Sequence, residues 1–304
     1  MKAVLLSGGV GGARFARGLQ DVLEPGELTI VGNVGDDVEV LGLHVSPDLD
    51  SILYTLAGLA DDERGWGRAE ESWRTLESVT TWGGEDWFRL GDLDLGLHLV
   101  RTKALHRGAS LSQVTALLTA KAGVHTWILP ATDDRLRTHV VTPAGTFPFQ
   151  EWFVARRHED EVDAVVVEGI EHAQPAPGVL SALAAAEAIL VAPSNPYVSV
   201  GPILAVREIR EALESRTVRS VAVSPLVGGK AVKGPADRML SRMAGGTSPG
   251  HVASCYEGLI DVLVIDRSDS PADAPVELVV TDTLMTDRDV TRRLAETVLE
   301  TACA

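Results

Sequence analysis

Four glycines fall within Ser7-Gly8-Gly9-Val10-Gly11-Gly12-Ala13-Arg14-Phe15, directly behind the run from Lys2 to Leu6. That run is apolar enough for a buried parallel strand, and Phe15, Leu19, Val22 and Leu23 recur at helical spacing over Ala13 to Leu23. The glycines therefore mark a strand-to-helix junction. At such a junction free backbone N–H groups and the positive end of the helix dipole favour an anion, and missing side chains let a diphosphate approach the main chain. Neither of the two familiar phosphate loops fits. Arg14 stands where the fingerprint G-x-G-x-x-G needs its third glycine, and no Gly-Lys-Ser/Thr follows. A tight glycine turn without a ligand is the alternative.

A second strand, Glu27 to Asn33, ends in Asn33-Val34-Gly35-Asp36-Asp37, and a third apolar piece, Val38 to Val45, ends in Ser46-Pro47-Asp48-Leu49-Asp50. Ligands of open parallel sheets bind outside the carboxyl ends of the strands, so these acidic loops and the glycine turn are expected to share one crevice. Asp50 or Ser51 is placed to cap the next helix, which carries Ile52, Leu53, Leu56 and Leu59 on one side. From 61 to 123 the texture changes. Trp66, Trp73, Trp82 and Trp87 lie in a polar stretch, followed by helical patterns at Leu95 to Arg107 and Leu111 to Ala122, which together predict a mainly helical insertion covering the site.

Thr126 to Leu129, Thr138 to Thr142 and Phe147 to Arg156 then look like strands, the last two forming a hairpin around Pro143-Ala144-Gly145. Alternation resumes with strand Val162 to Val167, helix Gly178 to Glu187, strand Ala188 to Ala192, helix Pro202 to Glu214, strand Val218 to Ser224 and helix Pro235 to Met243. Strands Leu259 to Ile265 and Val276 to Val280 and a helix Asp287 to Ala302 close the chain. The expected fold is α/β: a Rossmann-like, doubly wound, mainly parallel sheet built from 1–60 and 124–304, with a largely helical insertion at 61–123.

Composition narrows the partners. A net charge of −16 and a pI near 4.9 repel polyanions, which excludes nucleic acid and anionic membranes as targets. A small anion would need local positive charge. No apolar run reaches membrane-spanning length, and the start lacks the features of a signal peptide, so the cytoplasm is the expected location. Cys255 and Cys303 are too few for a disulfide framework and lack metal-ligand spacing.

Asp36, Asp37, Asp48 and Asp50 are the most concentrated acids at candidate strand ends, and one carboxylate from each loop can converge on a hard cation such as magnesium. Turn formation by Asp36-Asp37 and capping by Asp50 are the competing explanations. Pro193-Ser194-Asn195-Pro196-Tyr197-Val198-Ser199-Val200-Gly201-Pro202 offers hydroxyls, an amide and backbone donors to a base or phosphate, with a rigid proline turn as the alternative. Val227-Gly228-Gly229-Lys230 is a second glycine turn, with Lys233 and Arg238 behind it; phosphate or a solvated basic turn accounts for it. His98 and Arg101 share a helix face, with a solvent-facing helix as the default reading, and Trp87 is a ring-stacking candidate set against an ordinary packed tryptophan. No Ser-His-Asp, Cys-His or zinc pattern is present.

The segments Ser7-Gly8-Gly9-Val10-Gly11-Gly12-Ala13, Gly35-Asp36-Asp37, Ser46-Pro47-Asp48-Leu49-Asp50, Gly91-Asp92-Leu93-Asp94 with His98 and Arg101-Thr102, Ala192-Pro193-Ser194-Asn195-Pro196, and Ser224-Pro225-Leu226-Val227-Gly228-Gly229-Lys230 occur in one order. That order resembles the 2-phospho-L-lactate transferase family of coenzyme F-420 biosynthesis, from the first strand to about residue 290. The resemblance implies a Rossmann-like homodimer. It also implies magnesium-dependent transfer of a phosphorylated three-carbon acid from a guanosine diphosphate-linked donor to the deazaflavin Fo, with release of GMP.

On this chain it implies Asp36 and Asp50 as catalytic metal ligands, with Asp37 and Asp48 beside them. Gly8, Gly9, Gly11, Gly12, Ser194 and Asn195 would serve the donor nucleotide, Gly228, Gly229 and Lys230 its phosphates, and Trp87, His98 and Arg101 would lie towards Fo. Some members carry a further glutamate-adding domain that this sequence lacks, so glutamylation is expected of another enzyme. A nucleotide-sugar-binding regulator and a sugar nucleotidyltransferase are the alternatives. Whether lactate, enolpyruvate or glycerate is transferred stays open.

Overall fold

The computed structural model describes residues 1–271 and 274–304. The chain opens with strand β1 (Ala3–Ser7), helix α1 (Gly9–Val22) and strand β2 (Leu28–Gly32), then the hairpin β3 (Val38–Val40) and β4 (Leu43–Val45). Helices α2 (Pro47–Leu56), α3 (Arg74–Thr81), α4 (Asp92–His106) and α5 (Leu111–Lys121) lead to β5 (Trp127–Pro130). Strands β6 (Arg137–Thr142), β7 (Gly145–Pro148) and β8 (Ala164–Glu168) follow, then α6 (Val179–Ala185), β9 (Ala188–Val191), α7 (Gly201–Ala205) and α8 (Arg207–Glu214). The rest comprises β10 (Ser220–Val223), β11 (Leu226–Val227), β12 (Lys230–Ala231), α9 (Ala236–Met243), α10 (Pro249–Ser254), β13 (Val262–Asp266), β14 (Glu277–Thr281) and α11 (Arg288–Cys303).

Seven strands form one parallel sheet in the order β14-β13-β10-β9-β1-β2-β5. The chain works outward in one direction through β2 and β5, then returns to the other side of β1 with β9, so the Rossmann-like expectation holds and the topological switch lies between β1 and β9. Every residue of β1, β9, β10 and β13 is buried, as strands covered by helices on both faces must be. Helix α1 seals Ala13, Phe15, Ala16 and Leu19 against the sheet. Burial contributes about 1.5–3 kcal/mol for each large apolar side chain. Gly18 lets α11 close over α1: a Cβ there would stand 2.6 Å from the carbonyl oxygen of Thr291.

Several sequence expectations need correction. Val38 to Val45 is not a strand of the main sheet but an antiparallel hairpin, reversed by Leu41 and Gly42 at φ 52° and 74°, the left-handed pair of a tight turn. The following helix starts at Pro47 rather than at Asp50, because proline at the first helical position has its φ already set. Asp50 therefore lies inside the first turn and caps nothing.

Of Phe147 to Arg156 only the beginning is extended; Glu151–Ala155 winds into a π-helical turn. Strand β8 pairs antiparallel with β6 in a separate sheet of order β7-β6-β8, outside the parallel sheet. The helix expected from Pro202 to Glu214 breaks at Val206, whose ψ of 111° is extended. Within 61–123, α5 packs on β5 and buries Leu111 and Val114. No helix among the described residues is long and apolar enough to cross a membrane.

Candidate active site

A cavity of about 810 Å³ opens over the carboxyl ends of the strands at the switch point. Gly8, Gly9 and Gly11 of the glycine turn line it, together with Ser194 and Asn195 after β9, Asp36 after β2, Asp48 and Asp50 of α2, and Trp87 and His98 from the insertion. Most of the residues singled out in the sequence therefore meet in one place. Gly12 lies beneath the floor, where a Cβ would stand 2.4 Å from the Ser7 hydroxyl and 2.6 Å from that of Ser194. It is a packing glycine. Gly8 has the more direct role: a Cβ there would stand 2.5 Å from an Asp48 carboxylate oxygen, so only glycine lets the turn and α2 approach this closely.

The four acids divide into three environments. Asp37 turns away, 2.9 Å from His44 Nε2, and accepts from the Ser46 hydroxyl at 2.9 Å. Asp36 and Asp48 are both buried and face the cavity. Burial and then the Asp48 charge hold the Asp36 carboxyl well above the usual carboxylate range. Burial pushes Asp48 up to about 6, although Asn33 and the Gly9 N–H hydrogen-bond to it. Asn33 organises the pair: its amide donates to Asp48 at 2.9 Å and to the Val198 carbonyl at 3.1 Å, and its oxygen accepts from the Gly35 N–H at 2.8 Å. Asp36 Oδ1 is buried without a hydrogen-bond partner.

Asp50 is held in another way. Both guanidinium amino groups of the fully buried Arg101 donate to it, one at 2.9 Å, in a fork that matches the carboxylate. Burial opposes the guanidinium charge, yet Asp50 raises the Arg101 pKa above its ordinary value. His98 stands beside the pair, with Nδ1 3.2 Å from Arg101 Nη1 and Nε2 3.1 Å from Asp94 Oδ1. Tyr54 donates its hydroxyl to the same Asp94 oxygen at 2.5 Å. Burial opposes the Asp94 charge, but hydrogen bonds from His98 and Tyr54 hold this carboxyl below its ordinary value.

Helical spacing explains the assembly. Asp50 and Tyr54 are four apart on α2; Asp94, His98 and Arg101 lie at steps of four and three on α4, so each helix presents one polar face to the other. Arg101 itself does not line the cavity; it sits behind Asp50. In the sequence Asp94 stands out only as part of the Gly91-to-Asp94 segment, without a role, and Tyr54 not at all, although their four-residue spacings to His98 and Asp50 carried the signal.

The second glycine turn is placed elsewhere. Gly228 and Gly229, at φ 59° and 70°, form the two-residue loop of the β11–β12 hairpin, and the Gly229 N–H donates to Asp269 at 2.8 Å. Neither glycine nor Lys230 lines the cavity; the Lys230 side chain is 82% exposed, with Nζ 3.8 Å from Asp237. Positive charge at the cavity comes instead from Arg14, one turn into α1, and Lys233. Burial and then the Arg14 charge lower the Lys233 pKa, and its Nζ donates to the Gly65 carbonyl at 3.3 Å. Arg64 also lines the wall and lies over Trp66 and Trp73 at 5.1 and 5.0 Å. A wall of Phe149, Phe153 and His158, overlooked in the sequence because its residues are spread over the helical turn after β7, a π-turn and a loop, contributes further aromatic surface.

A switch-point cavity with a glycine turn, buried acids, flanking cations and aromatic walls defines a Rossmann-like protein suited to a phosphorylated ligand with a planar ring. The family model described as 2-phospho-L-lactate transferase CofD matches residues 3–301. Proteins named phosphoenolpyruvate transferase are similar along nearly their whole length: that of Streptomyces griseus is 42% identical, covering 99% of this chain and 98% of its own. That of Kitasatospora aureofaciens is 43% identical over the same shares. A solved structure from Bacillus halodurans, a member of the upf0052 family, shares the fold with a TM-score of 0.68 at 17% identity over 98% of both chains. The chain belongs to the 2-phospho-L-lactate transferase family and is a transferase enzyme of coenzyme F-420 biosynthesis.

Proposed function

We propose that the enzyme transfers a phosphoenolpyruvate-type group from a guanosine diphosphate-linked donor to the deazaflavin Fo, releasing GMP, as a cytoplasmic homodimer. The observation that carries this is the junction, in one cavity, of the α1 N-terminus with the buried Asp36–Asp48 pair. The choice of enolpyruvate rests on the phosphoenolpyruvate transferases that match over their whole length.

The N-terminal turn of α1, with Arg14 and Lys233 beside it, binds the donor diphosphate. The terminal ribityl hydroxyl of Fo attacks the phosphorus that bears the three-carbon acid; the new O–P bond forms as the P–O bond to GMP breaks, and the hydroxyl proton passes to a carboxylate. Arg101 locks Asp50 and thereby positions α2 against α4.

The residues fit magnesium. Two buried carboxylates, one with an unpartnered oxygen, are the donor set that a magnesium ion takes when substrate phosphates and water complete its shell. Asp36 and Asp48 would hold it, whereas both oxygens of Asp50 are engaged by Arg101. Bound there, magnesium supplies neutralisation of the diphosphate charge. Mass spectra of the products made from Fo with the enolpyruvyl, lactyl and glyceryl donors, together with assay of GMP, test the proposal. An enolpyruvyl phosphodiester with stoichiometric GMP is expected; no adduct from any donor overturns it.

A further inference from the structure

His158 is held in an unusual conformation. Its φ is 43° and that of Arg157 is 54°, two consecutive left-handed residues that are not glycine. The His158 N–H donates to the Trp152 carbonyl at 2.8 Å, and Arg238, reaching across from α9, donates to the His158 carbonyl. The same Arg238 Nη2 lies 2.9 Å from His158 Nδ1. A guanidinium has no acceptor and keeps all its protons, so Nδ1 must offer its lone pair and the ring proton of a neutral imidazole must be on Nε2. The ring is part of the cavity wall, 5.1 Å from Phe153, which stacks on Phe149 at 5.3 Å.

We propose that Arg238 is a positioning residue that fixes His158 as a neutral Nε2–H donor on this aromatic wall, where it recognises a planar heteroaromatic ring through an acceptor on the ring's edge. Burial and then the Arg238 charge hold the imidazole below its ordinary pKa, with Glu159 opposing; Trp152 and Phe153, the other neighbours, are uncharged. The assignment rests on the proposed function, in which both substrates carry such a ring: the donor's guanine and the deazaflavin of Fo.

Titration of wild type, Arg238→Ala and His158→Gln with GDP and with Fo, at about pH 8 and about pH 5.5, tests it. Without Arg238 the neutral ring is free to turn and to carry its proton on Nδ1, so at the higher pH the Kd of one ligand should rise by the inverse of the fraction that still presents Nε2–H, roughly 2–3-fold. Below its ordinary pKa of about 6.5 the freed ring donates from both nitrogens, and the loss should fade. His158→Gln retains an N–H donor that does not titrate, so its Kd ratio to wild type should be the same at both pH values. Loss confined to GDP identifies the ring as guanine, and loss confined to Fo identifies the deazaflavin. If wild type binds both ligands while Arg238→Ala binds them equally well, or is weakened by one factor at both pH values, the assignment fails alone. If wild type binds neither, the proposed function fails and takes this assignment with it.

Discussion

Asp48 and Asp50 stand two residues apart in the first turn of α2, both buried and both at the cavity, yet their surroundings are opposite. A helix turns about 100° per residue, so positions two apart point to different sides. Asp48 faces the glycine turn and the like charge of Asp36, whereas Asp50 faces a buried guanidinium that forks onto it. Acids that cluster in sequence thus separate in space into a pair suited to a cation and an acid already neutralised. Removing charge should have opposite consequences at the two positions.

The largest effect is expected at the neutralised one. Asp50→Asn leaves Arg101 buried without its counter-charge and should cost about 3–5 kcal/mol of stability, measured by denaturant unfolding. Replacing both partners, Asp50→Leu with Arg101→Met, should recover most of it, since a buried ion pair and a packed apolar pair are often comparable. If the single variant unfolds like wild type, Asp50 is not held as the structure places it.

Asp36→Asn and Asp48→Asn should do the reverse, leaving the melting temperature unchanged or raised while turnover falls on the order of 10²–10³-fold, the scale of losing charge neutralisation at the transferring phosphorus. Turnover followed against magnesium concentration, beside a melting curve, separates the two classes of variant. Near-normal turnover would remove this carboxylate pair from the reaction.

A smaller effect follows from the titration of the pair. A carboxyl whose folded pKa is raised keeps its proton where the unfolded chain has lost it, so its stabilising contribution is full below the ordinary value of 3.8 and fades as pH rises through about 6 for Asp48. A cation binds the deprotonated pair and offsets that loss. Magnesium should therefore raise the melting temperature more at about pH 8 than at about pH 5.5, and an equal rise at both would place the ion elsewhere.

These contrasts also show what was legible beforehand. The strand-turn-helix of Leu6 to Phe15, the parallel strands and the gathering of Asp36, Asp48 and Asn195 follow from local pattern, because buried strands and sheet-end loops are short-range signals. The Asp50–Arg101 pair, 51 residues apart, is settled by how α4 lies on α2, and no spacing along the chain encodes that. The same limit hid β8, whose apolar run fits a parallel strand equally well but finds its partner in β6.

Lys230 and Lys233 repeat the lesson with the smallest expected effect. Sequence favours Lys230, the residue directly behind two glycines, as the phosphate ligand. In the structure the glycine N–H that an anion would use already meets Asp269, and Lys230 extends into solvent beside Asp237. Lys233, three residues on, lines the cavity next to Arg14. Exposed ion pairs contribute little, so Lys230→Ala should change the KM for the guanosine-linked donor by less than about twofold. Lys233→Ala removes a charge-assisted contact and should raise that KM on the order of 10-fold without a matching change for Fo. The opposite ranking of the two lysines would return the phosphates to the second glycine turn, and equal weakening of donor and Fo by Lys233→Ala would mean that the residue shapes the cavity instead of binding the diphosphate.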